Sequence, residues 1–372
     1  MIRIFFICFL LVSNVRCKNE PGKNGLISSN KNITQKRIKG KNGIYHDIGI
    51  LGNSDFNIYF YEKVESVKFK MLGGFEIDLK KNQKGFFERS FKLHDPENAI
   101  FSYEFDAYKL DSLGNVYQLN YKPESEEKFF IWVGKNRNIE FKKAYKISGN
   151  LDSLNFNSKF LNEYRPIVTY YPENYDKNTP IIYILDGEMI NDLYPYIDQM
   201  IKDKKIVNLI LVGIYSSDKF RYNEYVEGST NNSNFKKHQN FFYKEVLGHT
   251  EVKLNKWRGS RYVFGVSNGG AFAMHAGLNN PNMFKEVIAF SVADYITEFS
   301  KPINIKRDQK YPNFYMGAGV YESSFYNDNL RFSKKLAQNN IEVSFNSFCS
   351  GHDYIVWKFE FLDYVVKRFK NI

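Results

Sequence analysis

Cysteine is scarce in this 372-residue sequence, which contains three cysteines and ten prolines. Cys8 and Cys17 lie near the N-terminus, so removal of a leader there would leave Cys349 alone, and no internal disulfide is expected in the mature fold. The spacing of cysteine and histidine does not indicate a zinc site either. No metal or organic cofactor is predicted, and apolar residues, 43% of the chain, are expected to supply the core.

Residues 4–12 form an apolar run that is too short to cross a bilayer as a helix. Arg3 precedes this run, which fits the hydrophobic region of a secretory signal. Cys17 follows at about the distance at which bacterial lipoprotein signals place their acylated cysteine, although Arg16 departs from the usual small residue. We expect residues 1–17 to direct export, with either lipidation of Cys17 and membrane attachment or ordinary cleavage nearby. The protein is then periplasmic, lipid-anchored or secreted.

Acidic residues are outnumbered by basic ones, 41 to 52, which gives a formal net charge of +11. The basic residues are spread along the chain, and the one dense cluster, "QKRIKGK" (35–41), lies in a polar segment. We interpret residues 18–43 as a flexible, solvated tether and expect no nucleic-acid partner. The positive charge of the protein would favour the approach of an anionic substrate.

Long helical patterns are missing between residues 44 and 135. Short runs in which apolar residues alternate with polar ones are separated by Gly, Asn, Asp and Pro, a pattern typical of an antiparallel β-sandwich. Residues 136–153 are polar and are interpreted as a linker. The alternating runs are "FNIYFYE" (56–62), "SVKFKML" (66–72), "FFERSFKL" (86–93) and "FSYEFDAY" (101–108).

From residue 154 to residue 372 the pattern changes to apolar strands that alternate with amphipathic helices such as residues 328–340. Nearly continuous apolar strands of this kind predict a mostly parallel sheet with helices on both faces, and therefore an α/β domain. The predicted strands are "PIVTYY" (166–171), "PIIYILDG" (180–187), "NLILVGIY" (208–215), "EVIAFSV" (286–292), "NFYMGAG" (313–319) and "EVSFNSF" (342–348).

Within this domain, the stretch "RYVFGVSNGGAFAMHAG" contains Gly265, Ser267 and Gly269 in a G-x-S-x-G pattern. A strand-like run precedes the serine and a small-residue helix follows it, which is the setting of a nucleophile elbow. The sharp turn imposes strained backbone angles on Ser267, and the glycines let neighbouring backbone pack closely. Ser267 is therefore predicted to be a catalytic nucleophile.

A serine nucleophile requires a base within hydrogen-bonding distance. Two histidines follow Ser267: His275, which lies in the helix after the serine, and His352, which lies on a glycine-containing loop after the last predicted strand. His352 has the position expected of the base, and His275 is interpreted as structural.

The acid that orients the histidine is expected after one of the later strands. Glu322 is the first acid after the strand at residues 313–319 and is the preferred candidate. Asp328, six residues after Glu322, and Asp294, after the preceding strand, remain alternatives.

Backbone N–H groups are expected to stabilise the oxyanion of an acyl-transfer reaction. One candidate is Asn268, the residue after the nucleophile. The second is expected in the loop after residues 180–185, where Asp186, Gly187, Glu188 and Met189 follow the strand. Gly187 and Glu188 are the candidate donors, and Gly187 would allow the backbone to approach the substrate.

Together these features resemble the "Putative esterase" family of α/β-hydrolases, which includes siderophore esterases, feruloyl and acetyl-xylan esterases and S-formylglutathione hydrolase. The resemblance covers residues 154–369 and implies a triad of Ser267, Glu322 and His352. It also implies that Arg221 and Glu224 either line the substrate pocket or form a structural ion pair. The matching stretches are "RPIVTYYPENY" (165–175), "YILDGE" (183–188), "LVGIYSSDKFRYNEY" (211–225), "FGVSNGG" (264–270), "NPNMF" (280–284), "GAGVYESSF" (317–325) and "SGHDYIVWK" (350–358).

In the siderophore-esterase branch of this family, a β-sandwich precedes the hydrolase domain, and the arrangement of this chain is similar. The resemblance therefore implies an exported serine ester hydrolase that acts on a siderophore or on an acylated glycan. There are two alternatives. One is an acyltransferase of the same fold, and the other is a non-catalytic surface protein that binds a ligand or a glycan.

Overall fold

The computed structural model describes residues 34–41, 43–51, 55–124, 127–137, 141–229, 231–254, 257–293, 309–322 and 324–371. The predicted export signal, Cys17 and residues 18–33 of the predicted tether lie outside these residues. Across the described ranges, no helix has the length and apolar character needed to cross a membrane.

The N-terminal part of the described chain forms two five-stranded antiparallel sheets. One sheet has the strand order β1-β2-β3-β7-β6, and the other has the order β10-β8-β4-β5 with β9 paired to β8. The strands are β1 (Thr34–Lys39), β2 (Tyr45–Leu51), β3 (Asp55–Phe60), β4 (Ser66–Met71), β5 (Glu76–Asp78), β6 (Lys80–Lys81), β7 (Phe87–Lys92), β8 (Ile100–Leu110), β9 (Val116–Gln118) and β10 (Phe130–Val133).

Apolar alternation places one face of each sheet in a common core, as the sequence predicts for a β-sandwich. Phe56 and Phe60 of β3 and Phe69 of β4 are fully buried, and they pack in one cluster with Phe101 of β8. Because successive side chains of a strand point to opposite faces, every second residue enters this core.

The first strand, β1, lies inside the segment predicted to be a flexible tether, and this part of the prediction is wrong. It pairs with β2 from Thr34 opposite Ile50 to Lys39 opposite Tyr45. Backbone hydrogen bonds of an edge strand need no apolar side chains, and basic residues are common on such edges because they prevent further pairing. A polar composition therefore did not reveal this strand.

The C-terminal part contains an eight-stranded sheet in the order β11-β12-β14-β13-β15-β16-β17-β18. β11, β12 and β14 pair antiparallel, and all other pairs are parallel. The strands are β11 (Asn150–Ser158), β12 (Glu163–Tyr171), β13 (Ile181–Leu185), β14 (Ile210–Ile214), β15 (Arg261–Val266), β16 (Glu286–Phe290), β17 (Asn313–Gly319) and β18 (Val343–Phe348).

Helices cover both faces of this sheet, which is the predicted α/β-hydrolase arrangement. Leu193 of α1 and Phe361 of α7 pack on one face, whereas Phe272 of α5 and Leu336 of α6 pack on the other. The helices are α1 (Ile190–Lys202), α2 (Arg221–Tyr225), α3 (Asn232–Asn240), α4 (Leu247–Lys253), α5 (Ser267–Asn279), α6 (Ser324–Gln338) and α7 (Tyr354–Arg368), with a π-helical segment (Phe241–Val246) joining α3 to α4.

The start of β11 at Asn150 lies within the predicted linker, so the hydrolase sheet begins a few residues earlier than predicted. Cys349, after β18, is buried and disulfide-bonded in this structure. The expectation of a lone thiol applies to a chain from which residues 1–17 have been removed, and it stays a prediction.

The buried His46 makes the stability of the sandwich depend on pH. Its Nε2 atom lies 2.7 Å from the Tyr103 hydroxyl, and its Nδ1 atom contacts the Tyr121 hydroxyl. Burial lowers the pKa of His46 to about 3, so this imidazole stays neutral in the folded protein while the unfolded chain binds a proton below about pH 6.5. Unfolding is thus favoured by acid.

We predict that His46→Gln reduces the pH dependence of unfolding, because the amide forms hydrogen bonds but does not titrate. The wild-type protein should lose about 1.4 kcal/mol of unfolding free energy per pH unit below pH 6.5 through this residue, roughly 2 kcal/mol at pH 5. Urea unfolding of both proteins at pH 7 and pH 5 measures the difference. Equal losses in the two proteins would show that His46 is not buried in the neutral form.

Candidate active site

Ser267 lies at the sharp turn between β15 and α5, as the sequence predicts. Its backbone φ is 53°, a left-handed value that is costly for a residue other than glycine. A Cβ atom on Gly265 would lie 2.2 Å from the carbonyl oxygen of Gly269. The turn can therefore close only because these positions lack side chains, and the strained conformation projects the serine at the carboxyl edge of the sheet.

His352 and Glu322 complete a hydrogen-bonded line with Ser267. His352 lies in the loop between β18 and α7, and its Nε2 atom is 3.0 Å from Ser267 Oγ. Glu322 follows β17, and its Oε2 atom is 2.8 Å from His352 Nδ1. The parallel strands β15, β17 and β18 end at the same edge of the sheet, which brings these three side chains together.

Of the two other candidate acids, the structure describes Asp328. Asp328 lies on α6, where its partly exposed carboxylate contacts Arg331. Asp294 lies outside the described residues. Of the candidates that the structure describes, Glu322 is thus the carboxylate that meets His352.

The Glu322 carboxylate is completely buried and well supplied with donors. Its Oε1 atom accepts hydrogen bonds from the Ser291 hydroxyl at 2.5 Å and from the Gly319 backbone N–H at 2.6 Å. The Trp357 indole N–H donates in turn to Ser291 Oγ at 2.8 Å. A buried carboxylate needs such donors because desolvation disfavours its charged form. This network fixes the oxygen that faces His352.

Two aromatic rings restrict the orientation of the His352 imidazole. The Phe325 ring centroid is 4.5 Å from the imidazole centroid, and the Trp357 ring meets it perpendicularly at 4.7 Å. The imidazole is partly exposed, with 22% of the side-chain surface accessible. It can therefore exchange protons with a substrate while its two ring nitrogens remain aligned.

The loop after β13 lies beside the elbow, and its Gly187 packs against the backbone of β14. A Cβ atom on Gly187 would lie 2.3 Å from the backbone nitrogen of Ile214, so the glycine is required for contact with β14. The Glu188 side chain is exposed. Asn268 lies in the first turn of α5, where N–H groups have no partner within the helix. The backbone donors at Asn268, Gly187 and Glu188 stay predictions.

Arg221 and Glu224 do not pair with each other. Both Glu224 carboxylate oxygens accept hydrogen bonds from Arg165, at 2.7 and 2.8 Å, and the Glu224 side chain is buried. The ion pair expected as one alternative between Arg221 and Glu224 is therefore wrong, whereas the other alternative, that they line the substrate pocket, stays a prediction. Their spacing in sequence suggested a pair, but each side chain binds a different partner.

Arg221 instead binds the carboxylate of Asp186 with two hydrogen bonds of 2.6 Å. Asp186 has a left-handed φ of 56°, and its backbone N–H donates to the Tyr225 hydroxyl at 3.0 Å. A Cβ atom on Gly269 would lie 2.9 Å from the Asp186 carboxylate, so this ion pair is directly beside the elbow. Arg221 thus fixes the loop that precedes Gly187 and Glu188.

Sequence reasoning did not assign roles to Ser291, Trp357 or Asp186. Asp186 carries the only usable signal, since it is an acidic residue directly after a fully buried strand. Trp357 lies within the matching stretch at residues 350–358, and Ser291 lies within the predicted strand at residues 286–292. Neither pattern indicates that these side chains support Glu322, and only the fold brings them together. Among the residues that the structure describes, no group of three or more His, Cys, Asp or Glu side chains could hold a metal ion.

A family model and several solved structures match this chain. The model of the family described as "Putative esterase" matches residues 158–367, more than half of the chain. The chain belongs to this family and is a serine esterase of the α/β-hydrolase type. No curated protein sequence matches it.

Solved structures show the same fold. The enterobactin esterase FES of Shigella flexneri, determined in the presence of enterobactin, has a TM-score of 0.63 and 15% identity, covering 87% of this chain and 95% of that chain. Ferric enterobactin esterase of Salmonella typhimurium has a TM-score of 0.63 and 14% identity, covering 89% and 95%. The BES protein of Bacillus cereus has a TM-score of 0.50 and 17% identity, covering 63% and 100%.

We predict that Arg221→Met lowers the free energy of unfolding by about 3 kcal/mol, because the substitution leaves the buried Asp186 carboxylate without its cation. The matched control is Arg331→Met, which removes an exposed pair with Asp328 and should cost less than about 1 kcal/mol. Urea denaturation of the two variants measures both values. Equal stability of both variants, with activity lost only in Arg221→Met, would instead assign Arg221 to substrate binding.

Proposed function

We propose that the protein hydrolyses a carboxylic ester through a triad of Ser267, His352 and Glu322. The observation that carries this proposal is the continuous hydrogen-bonded line from Ser267 Oγ to His352 Nε2 at 3.0 Å and from His352 Nδ1 to Glu322 Oε2 at 2.8 Å. A nucleophile, a base and an acid that orients the base are the parts that acyl transfer requires.

In the proposed reaction, Ser267 Oγ attacks the carbonyl carbon of the ester while its proton moves to His352 Nε2. The tetrahedral intermediate carries a negative oxygen, which the N–H groups near Asn268 and Gly187 would stabilise. Collapse of the intermediate breaks the bond to the alcohol, which leaves with the proton from His352. Water then gives a proton to His352 as its oxygen attacks the acyl carbon. Collapse of this second tetrahedral intermediate breaks the bond to Ser267 Oγ, which takes the proton back from His352 as the acid is released.

Glu322 has two roles in this proposal. Its Oε2 atom holds the Nδ1–H tautomer of His352, so that Nε2 is free to accept the serine proton. Its negative charge also stabilises the imidazolium that forms during the reaction. Because the donors at Ser291 and Gly319 occupy Oε1, the carboxylate keeps Oε2 directed at the histidine.

The substrate proposed is an anionic ester of the siderophore type. Two observations support this choice. The first is the net charge of +11, which favours an anionic substrate. The second is the structural match to an enterobactin esterase, which covers 87% of this chain and therefore includes the β-sandwich as well as the hydrolase domain. Esters of acylated glycans are the competing substrates, and transfer of the acyl group to an alcohol is the competing reaction.

Export forms part of the proposal, because the apolar run at residues 4–12 is typical of a secretory signal. Cys17 would then be the site of lipidation and of membrane attachment. Metabolic labelling with a fatty-acid analogue, compared between the wild-type chain and Cys17→Ala, would distinguish a lipoprotein from a protein that is cleaved without lipidation.

We predict that Ser267→Ala abolishes hydrolysis of p-nitrophenyl acetate and butyrate, with a fall in kcat of about 10⁶-fold. Ser333→Ala is the control, since Ser333 is a buried serine whose hydroxyl donates within α6 to the carbonyl of Leu330. Stopped-flow absorbance gives the burst and the turnover. Turnover that survives the loss of Ser267, or no labelling of Ser267 by a fluorophosphonate, would refute the proposal.

We also predict that Glu322→Gln lowers kcat by about 10³–10⁴-fold, because an amide favours the wrong tautomer of His352. Asp328→Asn should leave kcat within about twofold of wild type, since its carboxylate lies on α6 beside Arg331. Steady-state kinetics on the two variants and on Asp294→Asn identify the acid. A large loss in Asp294→Asn, with little loss in Glu322→Gln, would assign that role to Asp294.

A further inference from the structure

The turn between β4 and β5 of the sandwich touches the loop that carries the catalytic histidine. The backbone N–H of His352 donates a hydrogen bond of 2.9 Å to the carbonyl oxygen of Gly73. Gly73 has a left-handed φ of 58°, which is the conformation that aims its carbonyl group at this loop. The backbone of the proposed general base is therefore bonded to the other domain.

The contact is close on both sides. A Cβ atom on Gly73 would lie 2.3 Å from the carbonyl oxygen of His352 and 2.4 Å from its Cβ atom. In the reciprocal direction, a Cβ atom on Gly351 would lie 2.5 Å from the carbonyl oxygen of Leu72. Each position needs glycine because the two backbones pass within contact distance, so the sandwich leaves the histidine loop little room to move.

Strand β8 holds the same loop one residue further along. The Asp353 carboxylate accepts hydrogen bonds from the backbone N–H of Ser102 and, at 3.2 Å, from its hydroxyl. Asp353 also caps α7 by accepting from the N–H of Ile355 at 3.1 Å. The turn is itself tied to β8, because the N–H of Leu72 donates to the carbonyl oxygen of Ser102 at 3.0 Å.

We propose that residues 72–74 and Ser102, here called the sandwich clamp, are positioning elements for His352. This inference rests on the proposed function, since it assigns a role relative to the triad. The side-chain contacts of His352 align its ring with Ser267 and Glu322, but the ring can hold that alignment only if its backbone is fixed. The sandwich clamp supplies this restraint from outside the hydrolase domain.

The proposal gives the sandwich a part in the chemical step and not only in substrate binding. Displacement of the His352 backbone by a fraction of an ångström would lengthen the bond from Nε2 to Ser267 Oγ. Because catalysis depends steeply on such geometry, a change in the sandwich should appear mainly in kcat for a small ester. A module that only bound substrate would affect KM instead.

Gly73→Ala tests the proposal, and Gly85→Ala is its matched control. Both glycines lie in turns of the sandwich and have left-handed φ values, 58° and 84°, so alanine is strained at each position. A Cβ atom on Gly85 would meet nothing within 4 Å, whereas on Gly73 it would push against His352. The difference between the two variants therefore isolates the contact from the cost of the backbone conformation.

For Gly73→Ala we expect kcat on p-nitrophenyl acetate to fall by about 100-fold, with KM changed by less than about threefold. The rate of Ser267 labelling by a fluorophosphonate should fall by a similar factor, because that reaction also needs His352 as a base. Gly85→Ala should retain kcat within about twofold of wild type. Equal kcat values in the two variants, or a change confined to KM, would overturn the proposal.

Ser102→Ala is the second variant and decides the question if Gly73→Ala does not fold, as judged by circular dichroism. It removes only the hydroxyl bond to Asp353, so we expect a fall in kcat of about tenfold with KM unchanged. An unchanged kcat in a folded Ser102→Ala would overturn the proposal. If the proposed function itself is wrong, the result differs from both of these outcomes. The wild-type protein would then hydrolyse no ester and bind no fluorophosphonate at Ser267.

Discussion

The fully buried carboxylate of Glu322 determines how the groups around it in the site are arranged. An unpaired charge in the interior is costly, so the surrounding structure must direct donors at it. Ser291 and Gly319 supply two of them from the ends of β16 and β17, and His352 supplies the third from the end of β18. The proposed triad can form only where these three strand ends lie beside the end of β15, which carries Ser267, and the parallel sheet places all four ends at one edge.

Two more carboxylates of the hydrolase domain are buried, and each is neutralised by an arginine. Asp186 is bound by Arg221, and Glu224 is bound by Arg165 of β12. Each arginine makes two hydrogen bonds to its carboxylate. The pair therefore fixes the orientation of both side chains and also neutralises the charge. They hold the loop after β13 and helix α2 against the elbow. These two ion pairs thus support the elements next to Ser267. Displacement of either arginine would leave a buried carboxylate without its partner.

The sandwich adds a restraint that the hydrolase domain does not provide for itself. The histidine loop lies between the end of β18 and the start of α7, outside any strand or helix. Contacts from Gly73 and Ser102 reach the backbone of His352 and the carboxylate of Asp353. An N-terminal domain placed here can influence the alignment of His352.

The elements that sequence alone determined are those encoded within short stretches of chain. Alternation predicted the sandwich strands and the buried strands of the sheet, because side chains in a strand alternate between faces. Gly265 and Gly269 around Ser267 predicted the elbow, since steric contact within five residues requires them. The same alternation did not predict strand β1. An edge strand is held by backbone hydrogen bonds, and the basic side chains of β1 remain in solvent.

Only the tertiary structure decided which side chains are partners. Arg221 and Glu224 are neighbours in sequence but bind Asp186 and Arg165, and Gly73 meets a histidine nearly three hundred residues away. Sequence order favoured Glu322, yet its selection over Asp328 required the ends of β16, β17 and β18 to be placed together. The physical reason is that local patterns report the conformation of a segment, whereas a buried charge or a close backbone contact depends on the register and docking of distant segments.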